Sequence, residues 1–211
     1  MFEVIIGADK GDFSNRTLGK MVYRSYRGFK STSIWVLIGI NLLLFIARLI
    51  EPELILSLGL IPAIILDRPW TIITSIFLHG SIGHIIANMF TLYFFGSYLC
   101  TLIGEKKFLI VYFIGGILGN ILYIILGEPI SIAIGASGAV FAVGGALTMM
   151  RPKLRVFIFP IPAPLPLWVA VIGGFLIISL FPNVAWQAHL GGLAFGLTAG
   201  YFFRKRERFS F

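Results

Sequence analysis

The sequence contains few charged residues. Asp, Glu, Lys and Arg make up 12% of its 211 residues, whereas 58% are hydrophobic. An average globular chain is about 25% charged, so this scarcity excludes an ordinary soluble protein and indicates lipid as the main solvent. Apolar runs recur along the whole chain, so we expect a single membrane domain.

Cysteine is nearly absent as well. The one cysteine, Cys100, lies in an apolar run and cannot form an intramolecular disulfide. No CxxC motif and no Cys/His cluster is present, so the sequence predicts neither a metal site nor a cofactor.

The first 30 residues are polar and basic and contain no apolar segment before a small-residue cleavage site. We therefore expect no cleavable signal peptide.

Six apolar segments predict an all-α polytopic membrane protein with a bundle of six transmembrane helices. A membrane helix needs about 20 mainly apolar residues, and the fourth segment is shorter, so its ends should meet protein or a water-filled cavity. The long connection at 51–83 contains apolar stretches broken by Pro62 and Pro69, which predict a partly embedded loop with short helical pieces. The predicted helices cover 33–50, 84–103, 108–126, 137–150, 164–180 and 188–203.

The distribution of Lys and Arg predicts the topology. All of them except Arg48 and Arg68 lie before the first helix, in the second-to-third and fourth-to-fifth loops, or in the tail. Because basic loops face the cytoplasm, we expect six crossings with both termini on the cytoplasmic side. The predicted organisation is a cytoplasmic tail over 1–32, a membrane domain over 33–203 and a basic cytoplasmic tail over 204–211. With no soluble basic face, we predict no nucleic-acid binding.

Histidine and asparagine are costly to place inside a membrane, and those of the membrane segments lie close to one another in the predicted bundle. His79, His84 and His189, the three histidines of the chain, all lie at or near the outer ends of the second and sixth helices. Asn88 follows His84 by one helical turn and shares its face. Ser137 opens the fourth helix, which runs in the same direction. These side chains should therefore converge at one membrane level, near the outer face.

Such a set of side chains allows acyl transfer. Serine becomes an effective nucleophile when a base takes its proton, and His189, on a separate helix, can face Ser137. His84 and Asn88 can present two donors to an oxyanion, and the Ser137 amide at a helix N-terminus adds a third. No Asp or Glu lies in the spans near His189, so we predict a Ser-His dyad.

Small residues recur every four positions in the sixth and fourth helices. The two stripes are Gly192, Gly196 and Gly200 in the sixth helix, and Gly138, Ala142 and Ala146 in the fourth. Stripes of this GxxxG type let two helices approach closely. The stripe in the sixth helix begins three residues after His189. A contact between the two stripes should therefore bring His189 within hydrogen-bond reach of Ser137.

Three segments together resemble motifs of the rhomboid family of intramembrane serine proteases. Residues Gly135 to Gly138 read GASG and resemble the GxSG nucleophile motif of that family. Residues 188–196 read AHLGGLAFG and resemble its AHxxGxxxG motif. Residues 79–88 read HGSIGHIIAN and are similar to the histidine and asparagine pattern that opens its second helix. The motifs occur in the family's order, and the resemblance extends over nearly the whole chain.

The resemblance implies six helices around a water-filled cavity open to the outside. It implies cleavage of membrane-spanning protein substrates in or beside the bilayer, near its outer face and without metal. The fifth helix and the following loop, about 175–186, would form a gate for substrate. One departure is visible: the first outer loop of the family often carries a Trp-Arg pair, whereas Trp70 is followed by Thr71. We expect this loop to be anchored differently.

Other interpretations stay open at the level of the sequence. Ser137 could be a small residue at a helix start, and the histidines of the helices could be interhelical hydrogen-bonding groups. His79 could support the first loop rather than the site. A rhomboid-like protein that binds membrane clients without cutting them is one alternative function, although such relatives usually lack the serine or the histidine. A small transporter is another, but it would favour repeats with broken helices and mid-membrane charges.

The N-terminal residues also bear on localisation. Glu3, Asp9 and Asp12 are not typical of a transit peptide, which is poor in acidic residues. We therefore expect a prokaryotic inner membrane.

Overall fold

The long helices of the protein begin and end close to the predicted segments. The computed structural model describes residues 31–157 and 163–207. The predicted tail over 1–32 therefore lies almost wholly outside the described residues, and half of the tail over 204–211 does. In chain order the helices are α1 (Thr32–Ile50), α2 (Leu54–Leu58), α3 (Thr71–Thr74), α4 (Ile82–Thr91), α5 (Ser97–Ile103), α6 (Glu105–Leu126), α7 (Ser137–Met150), α8 (Leu167–Ser179) and α9 (Trp186–Glu207). A π-helical turn, Leu92–Gly96, joins α4 to α5, and these form one helix of 22 residues.

Three helices in the described part of the chain are long and apolar enough to cross a membrane: α1, the combined helix Ile82–Ile103, and α6. The other two apolar helices are shorter, with 14 residues in α7 and 13 in α8. Helix α9 has 22 residues but is less apolar. The prediction of an α-helical membrane bundle is confirmed, whereas the number of crossings stays a prediction.

Helix α7 lies at the centre of the bundle. Most of its residues are buried, and it packs against α6 and α9 along its length. By contrast, α1 exposes a row of large apolar side chains that includes Trp35, Leu43 and Ile46. An exposed apolar face of this size is stable only in contact with other apolar groups, which in a bilayer are the lipid chains. The short helix α7 is thus shielded by protein, whereas α1 presents an apolar face to the surroundings of the bundle.

The outer loop is folded into short helical pieces, as predicted. Between α1 and α4 lie α2, a 3₁₀ turn at Pro62–Ile64, α3 and a second 3₁₀ turn at Ser75–Phe77. The side chains of Arg68, Trp70 and Thr74 each donate a hydrogen bond to one of the carbonyls of 56–58, at the C-terminal end of α2. These carbonyls have no partner within the helix, so the three donors satisfy them and anchor the loop.

One small element was not predicted. Strands β1 (Arg155–Val156) and β2 (Leu165–Pro166) form a two-stranded antiparallel ladder between α7 and α8. The ladder pairs Arg155 with Pro166 and Val156 with Leu165. Its strands are too short to carry a period-2 pattern, which is why hydrophobic periodicity did not indicate them.

Candidate active site

Ser137 and His189 meet where α7 and α9 begin. The Ser137 hydroxyl and Nε2 of His189 are joined by a hydrogen bond of 2.7 Å. Ser137 is the first residue of α7, and His189 lies in the first turn of α9. The helix itself leaves its first backbone N–H groups without a partner, and the Ser137 hydroxyl lies beside them. His189 itself is buried, with 6% of its surface exposed.

The His189 ring is oriented by packing. It lies against the ring of Phe141, with centroids 4.8 Å apart and an interplanar angle of 38°. Its second nitrogen, Nδ1, is buried and has no hydrogen-bond partner among the described residues. Phe141 follows Ser137 by four residues and therefore shares its face of α7. Sequence reasoning missed Phe141, although this spacing could have identified it.

Backbone contact between α7 and α9 brings the two side chains together. Three small-residue pairs form this contact: Gly192 with Gly138, Gly196 with Ala142, and Gly200 with Ala146. A Cβ atom at the three glycines of α9 would lie 1.9, 2.0 and 2.4 Å from the carbonyl oxygens of their partners. Since real Cβ atoms essentially never come within 3.0 Å of another atom, the helices could not pack this closely with any other residue.

Helix α6 holds the start of α9 from the other side. A Cβ atom at Gly119 would lie 2.4 Å from the Ala188 carbonyl oxygen, and one at Gly138 would lie 3.1 Å from the same oxygen. The residue that precedes His189 is therefore held between α6 and α7. In addition, Nε2 of Gln187 donates a hydrogen bond of 3.1 Å to the Leu126 carbonyl, at the end of α6.

His84 lies directly over the loop that leads to Ser137. A Cβ atom on Gly135 would be 2.7 Å from both Cε1 and Nε2 of the His84 ring. Gly135 also has a φ of +128°, which L side chains rarely adopt. Glycine is therefore required here for two reasons, its backbone conformation and the space that the imidazole occupies. The structure thus brings His84 next to the nucleophile segment.

Asn88 lies one turn further along α4 and is buried. Its Nδ2 donates a hydrogen bond of 2.9 Å to the His84 carbonyl. An amide nitrogen carries two N–H groups, so this bond uses one donor and leaves the other. The bond fixes the Asn88 side chain on the face of α4 that also carries the His84 ring.

His79 is packed behind His84. The two rings are in edge-to-face contact, with centroids 4.9 Å apart, and His79 is fully buried. Neither of its ring nitrogens has a hydrogen-bond partner within the described segments. Burial, and to a smaller extent the nearby His84, lower the pKa of His79 to about 3. The Phe77 backbone raises this pKa slightly through a contact that falls outside hydrogen-bond geometry. His79 is therefore a neutral ring at physiological pH that supports His84.

The nucleophile segment is paired with the outer loop. Leu60 and Ala133 exchange two backbone hydrogen bonds, of 3.0 and 2.8 Å, in an antiparallel bridge. The Gly135 amide donates a third, of 2.9 Å, to the Ser75 carbonyl. Two residues before Ser137, the chain is thus bonded to the loop between α1 and α4. These contacts join residues about 60 to 75 positions apart, so the spacing of the motifs gave no signal for them.

Comparison with known proteins identifies the family of the chain. The family model described as the rhomboid domain matches residues 66–206. The chain belongs to the rhomboid family. The matched region begins in the outer loop and includes the Ser137–His189 pair. With its exposed apolar helices, this rhomboid protein is an integral membrane protein.

Individual relatives agree with the family assignment. The chain is 30% identical over 145 residues to Rhomboid protein 1, mitochondrial, of Saccharomyces cerevisiae, covering 64% of this chain and 42% of that protein. It is 30% identical over 146 residues to the Putative rhomboid protease YdcA of Bacillus subtilis, covering 66% and 70% of the two chains. It is 27% identical over 158 residues to Rhomboid-like protease 3 of Toxoplasma gondii, covering 66% of this chain and 60% of that protein. The rhomboid chain thus spans less than half the length of the yeast relative.

The contact between α7 and α9 can be tested by adding one methyl group. We expect Gly196→Ala to destabilise the rhomboid protein, because the new Cβ would lie 2.0 Å from the Ala142 carbonyl oxygen. Overpacking of this kind costs roughly 1–3 kcal/mol. The control is Gly173→Ala in α8, where a Cβ meets nothing within 4 Å. Thermal unfolding in detergent should show a lower Tm for Gly196→Ala alone, and equal Tm values would contradict this account.

The burial of His79 predicts a dependence of stability on pH. The pKa of His79 is about 3 in the folded state and about 6.5 in the unfolded chain. Between pH 3 and pH 6.5, therefore, the unfolded chain binds a proton at this residue more readily than the folded protein does. Stability should therefore fall as pH decreases through this range, by up to about 1.4 kcal/mol per pH unit from this residue. We expect His79→Phe to reduce the slope of Tm against pH below pH 6.5. An unchanged slope in the variant would show that His79 does not titrate as described.

Proposed function

We propose that this rhomboid protein is an intramembrane serine protease. It would hydrolyse peptide bonds of transmembrane substrate proteins in or near the outer part of the bilayer. The observation that supports this most strongly is the 2.7 Å hydrogen bond between the Ser137 hydroxyl and Nε2 of His189. Family membership supports the reaction class, since relatives in Toxoplasma gondii and Bacillus subtilis are named as proteases, the latter as a putative one.

In the proposed reaction, Nε2 of His189 removes the hydroxyl proton as Oγ of Ser137 attacks the substrate carbonyl. A tetrahedral intermediate forms, with its negative charge on the former carbonyl oxygen. The protonated His189 then donates its proton to the leaving amine, and the acyl group remains on Ser137 as an ester. Water, deprotonated by His189, attacks the ester, and collapse of the second intermediate releases the new carboxylate and restores the serine hydroxyl.

Three donors would stabilise the oxyanion: the Ser137 amide, the His84 ring and the Asn88 side chain. The contact between His84 and Gly135 supports the role of His84, because it keeps the ring beside the reacting segment. Asn88 retains a second N–H besides the one bonded to the His84 carbonyl. Removal of one such donor costs roughly 3 kcal/mol of barrier, or 10²- to 10³-fold in kcat.

The base works without a carboxylate in this proposal. Nδ1 of His189 has no partner among the residues that the structure describes, so no acidic group there orients the ring. Packing against Phe141 supplies that orientation. Phe141 also contacts Phe175 of α8 edge-to-face, at 6.0 Å between centroids and an interplanar angle of 87°. This contact connects the predicted gate over 175–186 to the catalytic side chains.

The membrane arrangement is part of the proposal. Residues 33–203 would form one membrane domain with six crossings and both termini in the cytoplasm, which puts Ser137 near the outer face. The partners would be transmembrane protein substrates and lipid. Some relatives are named as mitochondrial and one comes from Bacillus subtilis, so a prokaryotic inner membrane stays a prediction.

A fluorophosphonate probe, which reacts with activated serines, tests the proposed nucleophile and base. We expect labelling at Ser137 in the wild type and its loss in Ser137→Ala and His189→Ala, since removal of either group from a serine protease costs on the order of 10⁶-fold in kcat. Thr101→Ala is the control, because Thr101 lies in α5, outside the site and the predicted gate, and its hydroxyl donates to the Ser97 carbonyl of its own helix. Mass spectrometry locates the label. Folded wild type that does not label in lipid bilayers would favour a binding protein.

The fit of His84 against Gly135 gives a second test of the reaction centre. We expect Gly135→Ala to lower the rate of labelling at Ser137 by at least about tenfold, because a Cβ displaces both the backbone and the oxyanion donor. The matched control is Gly83→Ala, where a Cβ adjacent to His84 in sequence meets nothing within 4 Å. Equal labelling rates in the two variants would argue against a close contact between His84 and the nucleophile segment.

A further inference from the structure

A buried amide in α6 reaches the nucleophile segment through the outer loop. Asn120 lies within this membrane-spanning helix and has 7% of its surface exposed. Its Nδ2 donates hydrogen bonds of 2.7 Å to the Ile72 carbonyl and 2.9 Å to the Ser75 hydroxyl. An amide inside a membrane bundle is costly and tends to be functional. Here both N–H groups of the Asn120 amide donate to residues of the outer loop.

Ser75 connects that amide to the reacting serine. Its side chain accepts from Asn120, while its carbonyl accepts the 2.9 Å hydrogen bond from the Gly135 amide. Ser75 is itself 1% exposed, so water does not compete for either bond. A continuous series of hydrogen bonds therefore runs from α6 through the outer loop to a residue two positions before Ser137.

Helix α6 also holds the base. Gly119, adjacent to Asn120, contacts the Ala188 carbonyl, and the Leu126 carbonyl accepts from Gln187. Both contacts fix the chain immediately before His189. The outer half of one helix thus provides a common support for the nucleophile and for the base, and the distance between the two depends on it.

We propose that Asn120 is a positioning residue for the hydrolytic reaction. Through Ser75 and Gly135 it fixes the Ser137 hydroxyl relative to His189 and to the oxyanion donors. This inference rests on the proposed protease function. Because Gly135 is also confined by the His84 ring, a shift of the Ser75 carbonyl changes the nucleophile and the oxyanion donor together. Misplacement by about 1 Å typically costs on the order of 10²-fold in rate.

The test compares Asn120→Leu with Asn41→Leu in the full-length protein. Asn41 is a buried amide of α1 that donates to a carbonyl of its own helix, 2.7 Å away, so it is a matched control. The measured quantities are the second-order rate constant for fluorophosphonate labelling of Ser137 and the Tm. We expect Asn120→Leu to lower the rate by about 10- to 100-fold, and Asn41→Leu to leave it within about twofold. Asn120→Gln, which keeps the donor amide, should recover part of the rate.

Ser75→Ala makes the result independent of any folding defect in Asn120→Leu. It removes the hydroxyl that receives the amide but keeps the carbonyl that receives Gly135. We expect Ser75→Ala to slow labelling in protein that remains folded, with a Tm lowered only modestly because one Asn120 N–H loses its partner. The double variant should label no more slowly than Asn120→Leu alone. Wild-type rates in Ser75→Ala and in folded Asn120→Leu would overturn the positioning role alone. A folded wild type that does not label would overturn the proposed function, and this role with it.

Discussion

The approach of two helix backbones determines the geometry of the site. In lipid, hydrophobic burial contributes little to helix association, so close packing and hydrogen bonds must stabilise the bundle. Between α7 and α9 the glycines of one helix touch the carbonyls of the other, leaving no room for a side chain. Both helices begin at the same level, so this contact places the Ser137 hydroxyl and the His189 ring opposite each other at their ends.

The position of Ser137 needs a second constraint, because the packing of α7 against α9 holds the start of α7 from one side only. The extended segment before Ser137 is bonded to the outer loop at Ala133 and Gly135, and that loop is bonded in turn to α6. Irregular backbone at membrane depth is tolerated only where protein or water satisfies its polar groups. The same hydrogen bonds therefore satisfy the loop and position the serine.

Much of this arrangement could be predicted, since it rests on local patterns. Apolar length predicted the helices, and α7 has the predicted bounds of 137 and 150. The four-residue spacing of glycines predicted the face on which α9 meets α7. Contacts between distant loops have no such period, so the partners of Asn120, 45 and 48 positions away, could not be predicted from spacing. Asn120 is recognisable from the sequence as an intramembrane amide, but no motif connects it to the site.

The short length of α7 has a consequence for the supply of water. A helix of 14 residues rises about 21 Å, whereas the hydrocarbon layer is about 30 Å thick. If its inner end is level with the cytoplasmic boundary, Ser137 lies about 9 Å below the outer one. Hydrolysis consumes one water molecule for every bond that is cut. The turnover of such an enzyme would then depend on how readily water diffuses down to the serine as well as on how readily a substrate helix enters.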